Sequence, residues 1–363
     1  MWWSWVAAGV VLVAGVTAVV VATGTPSGPP PRATIAARQG VTTTVARTPT
    51  TTAATVRKPV TSPAGGTGSA SPVDARSVPL GDYAGEGNAA GVAAFAAATG
   101  THIELATDYL DKGDGWAGMD GAADVSTWSH TPYRLVLGVP VIPGTGTLAQ
   151  GATGVYDQYF TVLAQNLVRD GEANAILRLG WEFNGNFFPW AVATATDAAD
   201  FAAYWRQIVT TMRAVPGQHF QYLWNANAPS PTPYDPSQAY PGDAYVDYVG
   251  TDVYDNYFGD AAFLPSVGWE NQLQQQWGLD WLSSFAAQHH KPIAIPEWSD
   301  EYRYDNLGFG DDPSFIDNMA QWFVANKVAF ADVWCYDVSA TYRDNLLDGT
   351  FPKALAEFKL DFG

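Results

Sequence analysis

Two short segments each end in a glutamate followed by an aromatic residue: Ala175 to Trp190 reads AILRLGWEFNGNFFPW, and Lys291 to Asp300 reads KPIAIPEWSD. In the first, Ile176, Leu177 and Leu179 form the apolar run of a buried parallel strand, which leads into a glycine-containing, aromatic-rich loop. With a period of two, Arg178, Gly180 and Glu182 share one face, and Leu177 and Leu179 share the other. A buried carboxylate without a partner is costly, so Glu182 is either a satisfied partner of Arg178 or a working acid. In the second segment parity puts Ile293, Ile295 and Glu297 on the inner face. Either glutamate alone reads equally well as an interior ion-pair partner. Together, on matching strand ends, they suit hydrolysis of a glycosidic bond, in which one carboxyl group protonates the leaving oxygen while the other attacks or activates water.

The elements that must position this pair are legible from about Pro79 onward. Strand-like runs cover Val78 to Tyr83, Ile103 to Tyr109, Arg134 to Ile142, Ala175 to Glu182, Phe220 to Ala226, Val246 to Tyr254, Pro292 to Glu297 and Ala329 to Asp337. Amphipathic runs such as Tyr156 to Arg169, Ala198 to Ala214, Leu273 to Gln288 and Ser314 to Asn326 lie between them. Eight strands alternating with helices predict an α/β fold of the closed (β/α)8 type, and residues 79–363 have the usual length for one. In such a barrel the glutamates of the fourth and seventh strands face each other across the mouth formed by the strands' carboxyl ends. No G-x-G-x-x-G and no G-x-x-x-x-G-K-[ST] opens a helix, which argues against nucleotide-binding alternatives.

Charge and composition narrow the partners. Of 18 basic and 36 acidic side chains, six basic and one acidic fall in residues 1–78, leaving 12 against 35 in the remainder. So acidic a body repels phosphate backbones, which excludes nucleic acid and leaves neutral polymers. The 15 Trp and 17 Tyr supply rings of the kind that bind sugars, although most must serve packing. The single Cys335 rules out an intrachain disulfide and lies in a strand-like run as a small buried residue. The five histidines show no metal-ligand spacing, and the His289-His290 pair reads as a helix end. No metal, no cofactor and a monomer are expected.

The N-terminal part differs in kind. Residues 1–24 are apolar over a length able to cross a bilayer, as a signal peptide or an uncleaved anchor, although no Lys or Arg precedes them. Residues 25–78 are rich in Thr, Pro, Ala, Ser and Gly, cannot bury enough surface to offset ordering, and read as a disordered linker. Together they predict an exported body, extracellular or at the cell surface, with a membrane tether through residues 1–24 as one form of that expectation.

From about Pro79 to the C-terminus the sequence resembles glycoside hydrolase family 26, the β-mannanase-type clan of retaining (β/α)8 hydrolases. The resemblance implies that Glu182 in RLGWEFNG is the acid/base on strand four and Glu297 in KPIAIPEW the nucleophile on strand seven. Arg178 matches the arginine upstream of the acid, and Trp224 with Asn225 in YLWNAN matches the fifth-strand Trp-Asn pair. Tyr254 in GTDVYD would hydrogen-bond the nucleophile, and Trp334 in VWCYD would form the floor under the sugar being cleaved. One departure stands out: mannanases of the family usually have His immediately before the acid, where this chain has Trp181. Mannan is therefore the family default rather than a property read from these residues. Asn184, Trp190, Trp116, Asp108, Asp252 and Trp298 are further candidate sugar contacts, each with a packing alternative; Asp252 would equally serve a buried arginine.

The expectation is thus a secreted or surface-tethered retaining endo-β-glycanase, mannan endo-1,4-β-mannosidase-like, acting on a polysaccharide or oligosaccharide. The competing reading is a catalytically silent glycan-binding barrel in a cell-surface or polysaccharide-export assembly. Retention of both glutamates with Tyr254 counts against it.

Overall fold

Eight parallel strands close on one another in the computed structural model, which describes residues 74–111, 113–230, 232–257 and 265–363. The strands are β1 (Leu80–Tyr83), β2 (Ile103–Tyr109), β3 (Arg134–Val139), β4 (Ile176–Leu179), β5 (Gln221–Asn227), β6 (Tyr248–Asp255), β7 (Ile293–Asp300) and, after a ribbon strand β8 (Tyr302–Arg303), β9 (Phe330–Trp334). Strands β1 to β7 pair in sequence order, β7 pairs with β9, and β9 returns to β1 with Leu80 opposite Ala331 and Tyr83 opposite Trp334. A last short strand, β10 (Tyr342–Arg343), pairs antiparallel with β8 outside the barrel. All eight expected strands are present, and Ile103–Tyr109 has the expected bounds.

The helices are α1 (Ala89–Thr99), α2 (Gly115–Gly121), α3 (Leu148–Ala152), α4 (Asp157–Arg169), α5 (Ala195–Arg213), α6 (Pro265–Gln274), α7 (Leu279–His289), α8 (Pro313–Asn326) and α9 (Pro352–Asp361). The single helical run expected over Leu273 to Gln288 is instead two helices. Trp277 takes a left-handed φ of 66° and Gly278 caps the start of α7, so the chain turns where the apolar pattern reads as continuous. His290 caps α7 in the left-handed conformation, as expected for the histidine pair. Cys335 is buried and free. None of the helices among the described residues is long and apolar enough to cross a membrane. The apolar segment 1–24 and nearly all of the expected linker lie outside the described residues. The packed body begins slightly before the expected boundary: Ala75 is buried and its N–H donates to Asp361 O at 3.0 Å.

Inside the barrel the side chains fall into layers. Leu105, Val136, Ile176, Leu223, Ala294 and Phe330 form an apolar cluster of their own at the amino-terminal end. Alternation then brings Thr107, Arg178, Asn225, Asp252 and Asp332 into the next layer, and Tyr109, Tyr254 and Trp334 into the one above. Leu177 and Leu179 belong to the larger cluster between strands and helices, in agreement with the expected parity of β4.

Strand β7 departs from its expected parity. Ala294, not Ile293 or Ile295, joins the interior cluster, while the two isoleucines pack outward. Between Ile295 and Trp298 the register against both β6 and β9 shifts, so Pro296 and Glu297 together oppose one residue of the neighbouring strand. This bulge reverses the alternation and turns Glu297 inward, an example of an extra residue re-aiming a side chain beside a site.

Candidate active site

Arg178, fully buried on the inner face of β4, is the hub. Its Nε donates to Asn225 Oδ1 at 2.8 Å and its Nη1 to the Tyr109 hydroxyl at 2.6 Å. Its Nη2 reaches Asn225 Oδ1 at 2.6 Å, Asp252 Oδ2 at 3.0 Å and Glu297 Oε1 at 2.7 Å. Glu297 also accepts from both flanking phenols: Tyr109 donates to Oε1, and Tyr254 donates to Oε2 at 2.7 Å. Burial and the charge of Glu297 hold the Tyr254 phenol well above its ordinary value. Burial likewise raises Tyr109, against the opposing effect of Arg178. Both hydroxyls therefore stay protonated and act as donors. Every contact on the Glu297 oxygens comes from a donor, an arrangement that suits a carboxylate.

One guanidinium thus faces two buried acids. Burial pushes Asp252 well above the usual carboxylate range while Arg178 opposes the rise. The side chain of Asp252 is fully buried against Arg178 in the same layer of the barrel, where it pairs with the guanidinium. Asn225 has the same use: its Oδ1 is taken by Arg178, and its Nδ2 donates to Ala226 O at 2.8 Å. The Arg178 guanidinium is taken up by Asn225, Tyr109, Asp252 and Glu297.

Glu182 lies beyond the end of β4, so strand alternation does not reach it. The chain turns at Gly180 (φ 53°) and again at Glu182 itself (φ 50°), a left-handed conformation that costs a non-glycine residue about 1 to 3 kcal/mol. Surrounding hydrogen bonds hold that turn in place. The Glu182 N–H donates to Asn225 O at 3.0 Å, and its carbonyl accepts from Gly185 N at 2.8 Å. Asn184 clamps the loop to β5, its Oδ1 accepting from Asn227 N at 2.7 Å and its Nδ2 donating to Asn227 O at 2.9 Å. The Asn184 amide is thus engaged by main chain, fixing the loop that carries Glu182. The same residue, Asn225, links the Glu182 backbone to Arg178 and hence to Glu297.

The tryptophans divide differently from expectation. Trp224 points outward from β5 onto Phe285 of α7, with ring centroids 5.1 Å apart. Trp298 points outward from β7 and is enclosed by Phe323, Phe358 and Phe362. Trp190 is fully buried, stacked on Phe188 at 4.4 Å, with its Nε1 donating to Trp181 O. Trp224 and Trp298 belong to the core because adjacent strand residues alternate sides and a helix covers the outer one, whereas Trp190 is packed into the core from the loop between β4 and α5. Trp334 does reach the interior layer, but it is only 2% exposed and stacks on Tyr83 at 4.2 Å, which leaves it no open face for a sugar. Trp116 is half-buried on α2 and stacks on Tyr159. Asp108 faces away from the mouth and fastens loops, accepting from Gly87 N at 3.0 Å and from Trp128 Nε1 at 2.5 Å.

Tyr109, the neighbour of Asp108, joins the site although it is not among the residues expected from the sequence. Its position at the inward end of β2, two beyond Thr107, was the available signal. Trp181 packs against it with ring centroids 5.1 Å apart and also against Phe188 and Trp190, so it supports the phenol that holds Glu297.

Comparisons with known proteins show what the sequence and fold resemble. The profile of glycosyl hydrolase family 26 matches residues 154–279, a span that holds Arg178, Glu182, Asn225, Asp252 and Tyr254 and ends before Glu297. Endoglucanase H of Acetivibrio thermocellus is 28% identical over 235 residues, which is 58% of this chain and 22% of that protein. A mannan endo-1,4-beta-mannosidase of Bifidobacterium adolescentis is 30% identical over 165 residues, 42% of this chain and 15% of that protein. The chain thus spans less than a quarter of either relative. Among solved structures, the family 26 β-mannanase BoMan26A of Bacteroides ovatus superimposes with a TM-score of 0.54 at 15% identity, covering 78% of this chain and 88% of that one. A modular endo-beta-1,4-mannanase from Cellulomonas fimi gives 0.55 at 17% identity over 79% and 70%. The family profile matches about a third of the chain, across its fourth to sixth barrel strands, and a (β/α)8 fold is built around them; in both respects the chain is similar to glycoside hydrolase family 26.

Proposed function

We propose that the barrel is a retaining endo-β-glycanase that cleaves a polysaccharide by double displacement, with Glu297 as nucleophile and Glu182 as acid/base. The observation that carries this reading is the setting of Glu297, a mouth-facing carboxylate fixed by donors from Arg178, Tyr109 and Tyr254. In the first step Glu182 passes its proton to the leaving glycosidic oxygen as that bond to C1 breaks, and a Glu297 oxygen forms a bond to C1. In the second, water adds to C1 and gives a proton to Glu182, while the bond from Glu297 to C1 breaks. Two inversions leave the configuration retained.

Similarity to family 26 supports the reaction class, and the activities named for the two relatives make β-mannan and β-glucan the backbones to assay first. Trp181, standing where the family's mannanases usually carry His, favours testing both rather than mannan alone. The apolar segment 1–24 and the Thr- and Pro-rich stretch after it support export, secreted or tethered at the surface. NMR of the first product formed by the purified full chain tests the mechanism. A retained anomer is expected; an inverted one, or tight binding without turnover, would reject it, the latter in favour of a glycan-binding barrel.

The ribbon of β8 and β10 leads directly off β7 and supports a site built for polymers. Tyr304 is 62% exposed beside it, its ring edge-on to Tyr342, and an open ring at the barrel mouth is a platform for a further sugar. Tyr304→Ala is expected to lower kcat/KM on polysaccharide roughly tenfold, the equivalent of one stacking contact. Turnover of a short aryl glycoside should be unchanged, and an equal loss on both substrates would assign the residue to local packing.

A further inference from the structure

Helices α8 and α9 pack together on the outside of the barrel and bring three carboxylates to one place. Glu357 and Asp361 are four residues apart on one face of α9, and Asp317 lies on α8; one oxygen from each comes within 4.8 Å of the other two. Acidic clusters are common on protein surfaces, but this one has a buried member. Asp361 is 0% exposed, and among the described residues neither of its carboxylate oxygens has a hydrogen-bond partner. A buried carboxylate in that state needs a counter-charge or a proton. Its position adds to the need, since Asp361 closes α9, where the last carbonyls already give the helix end a negative potential. The guanidinium beside it, Arg76, turns to the main-chain carbonyls of Gly363 and Leu360 and pairs with Asp74.

We propose that Asp317, Glu357 and Asp361 form a divalent-cation site, selective for Ca2+ over Mg2+, that ties the C-terminal helix to α8. The donor set is all oxygen with three negative charges, which suits a hard cation. Ca2+ accepts oxygens at about 2.3–2.6 Å in irregular geometry and can complete its shell with water on the half-exposed side of Asp317 and Glu357, whereas Mg2+ demands a near-ideal octahedron. This is chemistry that a search for histidine and cysteine spacing does not find.

The test uses the full chain, stripped with a chelator and titrated with CaCl2 or MgCl2 by calorimetry and thermal unfolding. One Ca2+ per chain is expected, with Tm rising by roughly 5 °C or more at about a hundred times Kd, and a smaller rise with Mg2+. Glu357→Gln should unfold at or above the wild-type temperature without Ca2+, because repulsion is relieved, and should lose the Ca2+ increment. Asp317→Asn provides the same reading if Glu357→Gln does not fold. A wild type that neither binds Ca2+ nor gains stability, or variants that keep the full increment, would overturn the proposal.

Discussion

Glu297→Ala is expected to abolish turnover, lowering kcat by roughly 10^4-fold or more, while the barrel stays folded. The asymmetry between the two glutamates makes the assignment testable. Glu297 accepts from Arg178, Tyr109 and Tyr254 at once, so its loss removes the atom that bonds C1 as well as the acceptor around which those donors are arranged. Added azide should not restore retained product. Glu182→Ala should lower kcat on polysaccharide by about 10^2 to 10^4, the usual contribution of a positioned proton donor. Formation of the glycosyl-enzyme from substrates with good leaving groups should survive, because those groups depart without a proton. Pre-steady-state burst measurements on an activated aryl glycoside separate the two roles. Full activity in either variant would refute the pair.

Arg178→Met is expected to be the most damaging change to stability among the residues around the site. The arginine is fully buried and is, among the described residues, the only guanidinium that pairs with Asp252 and Glu297, both themselves buried. Removing it leaves two carboxylates facing each other in low dielectric, a loss of about 3 to 5 kcal/mol. For a domain of this size that lowers Tm by on the order of 10 °C. Adding Asp252→Asn should recover part of the stability, since one of the two buried charges is gone, while activity stays low because Glu297 still lacks its Arg178 donor. Arg178→Lys keeps the charge but cannot span Asn225, Tyr109 and both acids, so it should fall between wild type and Arg178→Met. Thermal unfolding of the four proteins, with kcat measured alongside, decides the matter. A single variant with wild-type Tm and kcat would show that the network is not needed.

The sequence by itself determined the barrel, the two glutamates and the inward side of Arg178. Alternating apolar runs specify how many strands there are and about where each lies, and the active face of such a barrel is the set of strand ends. Tertiary structure decided the rest, because strands buried on both sides carry apolar residues on both faces, and a period of two cannot say which face is inside. Strand β7 is the clearest instance. Parity from its first residue assigns Ile293 and Ile295 to the interior, whereas Ala294 lies there and a bulge at Pro296 turns Glu297 inward. The tryptophans went astray for the same reason: Trp224 and Trp298 adjoin Asn225 and Glu297 in sequence, yet face α7 and the α8–α9 pair across the strand. The left-handed turn at Glu182 could not be read locally, and for Tyr109 the sequence offered only its place at the inward end of β2. Tyr109 matters because β2 brings its hydroxyl between Arg178 and Glu297, and the Glu182 turn is held by Asn225 and by the Asn184 clamp on Asn227, contacts that exist only once strands four and five lie side by side.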